Sequence, residues 1–243
     1  MGVSVIPKLT NRYFSLVVGV LLATTLLLIA GLQLMSAQAA SQQVGVAPVG
    51  QNAFEFIGRI NQNGFNFTGF GYLTYIKNLS NAQIYSNPTA ASEDTARFTY
   101  VATATLTSRA ILSDVFVIDS QGTITFYFTQ SPPNRDFNDP ASFASGTPIA
   151  TASLRYQDIL LVQSSNKGLA TGVGEVAQLS ATPFSLGGQS YQFGQSNLFY
   201  RFSTVGNGTR TDPGPPISFV LLAGNAVTTG QSTFLPQLNR DSP

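Results

Sequence analysis

Between Phe98 and Leu106 apolar and polar side chains alternate with a period of two. Phe98, Tyr100, Ala102, Ala104 and Leu106 fall on one side, and Arg97, Thr99, Thr103, Thr105 and Thr107 on the other, with Val101 the exception. That period is what a pleated strand with one buried face requires. Threonine is β-branched and suits a strand while tolerating water, so the threonine stripe reads as the solvated face of a half-buried sheet. The pattern then predicts a strand over 115–119, a turn at Ser120-Gln121-Gly122 and a return strand over 123–129. The return strand sets Ile124, Phe126 and Phe128 against Thr123, Thr125 and Tyr127. The turn rests on Gly122, which suits a left-handed backbone position.

The same reading gives strands over 54–61 and 65–76 joined by an Asn63-Gly64 turn, the dipeptide that two-residue hairpins favour. A long strand over 148–163 has a phase change near 155–158 that suggests a bulge. Strands over 169–180, 197–205 and 217–227 follow, with a short hairpin about Gly187-Gly188 before the second of these. Asp212-Pro213-Gly214-Pro215-Pro216 blocks pairing, because proline lacks the N–H. Two long connections, 77–95 and 131–146, carry the remaining turn residues.

Paired glycines recur inside two strands. Thr68-Gly69-Phe70-Gly71-Tyr72-Leu73 resembles Thr171-Gly172-Val173-Gly174-Glu175-Val176, which suggests halves over 54–129 and 148–227. Glycines inside strands mark sharp coiling or close backbone approach. Four strands per half predict an all-β domain built as one antiparallel barrel of about eight strands, with a two-sheet sandwich as the alternative.

The N-terminus is different. Lys8 and Arg12 precede an apolar run over 14–34, and Ala37-Gln38-Ala39 fits a small-x-small cleavage site. Residues 1–39 therefore read as one hydrophobic helix, a signal peptide or an uncleaved membrane anchor. The expected organisation is a leader over 1–39, a linker over 40–52, an all-β domain over 53–227 and a loose tail over 228–243. The segment after the leader is expected outside the cytoplasm: periplasmic, on the cell surface or secreted.

Composition narrows the chemistry. The 243 residues contain no His, Cys or Trp. Ser-His-Asp and Cys-His sites, cysteine-ligated clusters and ordinary zinc sites are excluded, as are disulfides. A formal charge of +1 and the lack of a basic run offer nothing to nucleic acid. No cofactor is expected and no metal site is assigned. The cluster Asn134, Asp136, Asn138 and Asp139 lacks calcium-loop spacing and reads as turn chemistry.

Glu175 shares its phase with Leu169, Val173, Ala177 and Leu179, which predicts an inward carboxylate in need of a partner. Arg201, Arg155 and Arg97 lie on strands and are potential partners, and Tyr72 and Tyr100 are potential wall residues. The expected ligand-binding set is thus Glu175, Arg201, Tyr72 and Tyr100, with no catalytic residue assigned. Three functions are compatible with this. The first is an exported, non-catalytic structural or interaction module, whose partner would be a cell-surface component. The second is a barrel binding a small apolar ligand. The third is a cofactor-free isomerase or cyclase.

Overall fold

The computed structural model describes residues 41–212 and 214–231, together with the isolated Gly2. The expected leader over 1–39 and most of the expected tail lie outside the described residues. The strands are β1 (Gln42–Val44), β2 (Asn52–Asn63), β3 (Asn66–Ile76), β4 (Phe98–Leu112), β5 (Val115–Phe128), β6 (Thr147–Ser164), β7 (Lys167–Ala181), β8 (Pro183–Leu186), β9 (Gln189–Phe193), β10 (Leu198–Arg210) and β11 (Ser218–Gln231). One short helix, α1 (Asn81–Ile84), lies in the β3–β4 connection.

Eight of these strands close into an antiparallel barrel in the order β10-β11-β2-β3-β4-β5-β6-β7. Closure leaves no barrel edge exposed. The alternation read in β4 and β5 holds: Tyr100, Ala102, Phe126 and Phe128 are buried, while Thr103 and Thr105 face solvent. The Gly187-Gly188 hairpin forms as read, with positive φ at Gly187 (59°) and Gly188 (80°). β2 and β3 also join in a two-residue turn, but its central residues are Gly64 (φ 61°) and Phe65, one position beyond Asn63-Gly64, because Asn63 pairs with Asn66.

The predicted turn at 120–122 does not exist. β5 runs unbroken through Gly122, and the chain reverses at Ser113-Asp114, with Ser113 at φ 56°. A Cβ on Gly122 would overlap the Thr103 carbonyl. This glycine lets two strands approach closely within the sheet; it does not reverse the chain. The long strand β6 carries register shifts against β7 at Thr151/Ala152 and Val162/Ser164 and against β5 between Pro148 and Ala150, and none at 155–158.

Within the expected linker, residues 41–52 take part in the fold. β1 pairs in parallel with β9, β9 pairs with β8, and Val44 is fully buried. This three-stranded sheet closes one end of the barrel. Phe193 packs on Phe126 at 4.9 Å and on Phe54 at 5.6 Å between ring centroids, and the Tyr200 hydroxyl donates to the Gly45 carbonyl at 2.9 Å. The 131–146 connection folds down on the outer wall. Phe143 is fully buried against Phe70, with centroids 5.3 Å apart, and its carbonyl accepts from the Thr99 hydroxyl at 2.6 Å. At the opposite end the barrel strands are joined by tight turns and by the proline-rich 211–217 loop, and that end is open.

Candidate functional site

The inner face of β7 is nearly bare: Gly168, Ala170, Gly172 and Gly174, then Val176 and Gln178. The two neighbouring strands, β6 and β10, lay aromatic rings over these gaps. A Cβ on Gly172 would overlap Tyr156, and one on Gly174 would overlap the Phe202 ring. Across the barrel Gly58 and Gly71 are also without room for a side chain, while Gly69 has only ordinary contacts around it. A Cβ on Gly58 would overlap the Tyr100 hydroxyl, and one on Gly71 would overlap the Ile57 carbonyl. In both halves the second glycine is registered with an aromatic residue on the next barrel strand, Gly71 with Tyr100 and Gly174 with Phe202. Phe202 stacks on Tyr156 at 5.6 Å, and Phe56 meets Phe202 and Tyr100 edge-on at 6.0 and 5.7 Å.

The small inner residues leave a cavity of about 950 Å³, and Phe56, Tyr100, Tyr156 and Phe202 are part of its lining. Its floor is Phe54 and Phe126, and its walls include Ile124, Leu154, Leu160 and Val220. Residues of the turns at the open end, among them Phe65, Asn166 and Ile217, complete its lining, so the lumen is a cup whose mouth is the turn end. Leu154 and Val162, both on its wall, are eight residues apart on β6. At about 3.3 Å per residue and the usual strand tilt, the cup is about 20 Å deep. It is narrow and long, with a volume typical of small-molecule sites.

Two carboxylates line it, Asp212 at the mouth, paired with Arg210, and Asp158 on the wall. Asp158 lines the cavity in phase with Leu154, Tyr156, Leu160 and Val162. Its Oδ1 is buried with no hydrogen-bond partner, and no cation among the described residues lies within 4.0 Å of it. Burial lifts its pKa from the ordinary 3.8 to about 7, because a desolvated carboxylate without a partner favours the neutral form. Nearby, the Tyr156 and Thr204 hydroxyls are bonded to each other at 2.9 Å. Burial, reinforced by the charge of Asp158 and partly offset by that hydrogen bond, holds the Tyr156 phenol far above its usual range. Tyr100 is raised similarly, by burial first and then by Tyr156. These groups can exchange hydrogen bonds with a ligand, and Asp158 can give or take a proton near neutral pH.

Of the four residues expected to form the site, only Tyr100 lines the lumen. Glu175 is exposed on the outer wall, registered with Arg155 on β6 and Arg201 on β10, which are exposed too. Its apolar phase-mates Val173 and Leu179 lie outside with it, 38% and 61% exposed. The hydrophobic face of β7 is its outer face because the inner one is kept small. Tyr72 is buried, but outside the lumen; burial and then Glu93 raise its pKa. Arg97 donates to the carbonyls of Ala82 (2.9 Å) and Gln130 (3.2 Å), tying two connections together. Asp136 and Asp139 accept from nearby backbone N–H groups, as turn and cap residues do. The residue missed was Asp158. Its signal was the unbroken alternation of β6, which places an aspartate among apolar inner positions.

Compared with protein-family models, with curated proteins and with solved structures, the chain matches none.

Proposed function

We propose that the barrel is a binding protein for one elongated, largely apolar small molecule, held in the lumen and met by Asp158, Tyr156 and Tyr100. The observation that carries this reading is the 950 Å³ cup itself. A purely structural or interaction module has no use for an open apolar lumen, since filling it would stabilise the fold. The leader-like N-terminal sequence supports a site of action outside the cytoplasm.

The test is native mass spectrometry of the protein from its source, followed by titration with a polyene fatty acid whose fluorescence rises in apolar surroundings. One equivalent is expected to bind. Ala104→Phe, which places a ring in the lumen, is expected to reduce affinity at least tenfold, and Glu175→Gln on the outer wall is expected to change nothing. Binding that ignores the Ala104 substitution would refute the reading. A second reading, a cofactor-free proton-transfer enzyme, is favoured by the near-neutral titration of Asp158 beside Tyr156. It requires that Asp158→Asn keep the ligand and lose turnover.

A further inference from the structure

The inner positions of β4 run Tyr100, Ala102, Ala104 and Leu106. Continued without interruption, that alternation would turn Ser108 inward and Arg109 outward. It is interrupted. The β4–β5 register shifts between Leu106 and Ser108, leaving Thr107 as an extra residue. Beyond this bulge Arg109 is registered with Ile118, an inner residue of β5, and both line the cavity. Re-aiming a side chain is what bulges beside binding sites do. The bulge is held from outside: the Asp119 carboxylate accepts from the Ser108 hydroxyl at 2.7 Å and from the Gln157 side-chain amide at 3.1 Å.

Arg109 has no carboxylate within 4.0 Å among the described residues. Of the other cations around the mouth, Lys167 also lacks a carboxylate partner among the described residues, while Arg210 has one. Arg210 is paired with Asp212 at 2.7 Å, and Lys167 donates to the Thr209 hydroxyl at 3.0 Å. Ile118 is in turn registered with Asp158, so Arg109 and Asp158 stand two strands apart in one row, about 10 Å between backbones. The lumen is therefore polarised. Arg109 is solvent-accessible near the mouth, and Asp158 is half-buried on the wall, with its Oδ1 buried and unpartnered.

We infer that the occupant is a long-chain carboxylic acid, its carboxylate on the Arg109 guanidinium at the mouth and its chain running down past Leu154 to Phe54 and Phe126. This rests on the lumen-binding reading and adds to it the ligand's head group and direction. The guanidinium fork matches a planar carboxylate. Lys167 supplies a second, weaker attraction at the rim. Asp158 repels an anion that slides deeper, which fixes the head outside and the chain inside. The depth agrees: one leaflet of bilayer hydrocarbon is about 15 Å thick, and the cup holds a chain of that length with room for its head at the rim.

The experiment compares cis-parinaric acid with its methyl ester on the full-length protein, by fluorescence titration at pH 7.5 and low salt. The acid is expected to bind one equivalent at least tenfold more tightly than the ester. Arg109→Gln is expected to bring the acid down to the ester's affinity while leaving the ester unchanged, Arg109→Lys to recover part of the difference, and Lys167→Gln to cost the acid about two- to fivefold. Equal binding of acid and ester, unmoved by Arg109→Gln, would overturn the head-group assignment and leave the lumen reading standing. Failure of both probes to bind would remove the lumen reading and this inference with it.

Discussion

Asp158→Asn tests the buried carboxyl through stability, without a ligand. Folding moves this group from a pKa of 3.8 to about 7. Below pH 3.8 it is protonated in both states and contributes no pH dependence. Between the two values the folded protein holds a proton that the unfolded chain has released, so stability falls as pH rises; above the folded value the full penalty is present. At about 1.36 kcal/mol per pH unit of difference, the penalty comes to about 4 kcal/mol, and water entering at the mouth lowers it to about 2–4 kcal/mol. Asparagine has nearly the same shape and does not titrate. The two proteins should unfold in urea with similar stability near pH 4. The difference should then open in favour of the variant, reaching about 2–4 kcal/mol by pH 8, or roughly 5–15 °C in Tm for a domain of this size. Taking the difference between the two proteins cancels the other carboxylates, which both share. Tyr156, its phenol raised far above the usual range, stays neutral throughout. Curves that remain parallel from pH 4 to 9 would refute the assignment of Asp158 as a buried, unpaired acid.

Two further outcomes follow from the walls. Gly69→Ala should shift stability by less than about 1 kcal/mol, since its new methyl would meet only Ala102 Cβ and Ile60 Cγ1, each at 3.6 Å. Gly71→Ala, two residues along the same face, should cost more than about 3 kcal/mol, because its methyl would overlap the Ile57 carbonyl, part of the backbone. Thermal unfolding of the two variants side by side checks this, and similar losses would contradict the close approach of β2 and β3. Thr99→Val should cost about 1–3 kcal/mol by stranding the buried Phe143 carbonyl, and it should speed amide exchange within 131–146 while leaving the other connections protected.

How legible was this protein? The turn with glycine at both central positions was legible because few other backbones suit those residues, and Gly187-Gly188 turns as read; the chain also reverses beside Asn63-Gly64, but one residue later, at Gly64-Phe65. The turn at Ser113-Asp114 was not, since Ser113 takes its positive φ without a glycine to advertise it, while Ser120-Gln121-Gly122 advertised a turn the sheet does not make. The eight barrel strands were expected in number but assembled differently. The central stretch gives two long strands where three were expected, and β8 and β9 stand outside the barrel.

The inversion of Glu175 and Asp158 has a deeper cause. Reading the apolar side of a strand as the inner side assumes that the interior is filled by the strand's own side chains. In β7 the interior is filled from the two adjacent strands, by Tyr156 of β6 and Phe202 of β10 lying over Gly172 and Gly174. The inner face then scores as nothing and the outer one, with Leu169, Val173 and Leu179, scores as hydrophobic. In β6 the same rule works, and applied without a supposed bulge it places Asp158 inside. A barrel that keeps a lumen must hold some inner positions small, so hydrophobic phase is least reliable on the strands that create the cavity. There the useful marks are glycines spaced two apart, opposite aromatic residues in register, and a lone charged residue that breaks no alternation. Those marks converge in this chain on Asp158 and, through the bulge at Thr107, on Arg109.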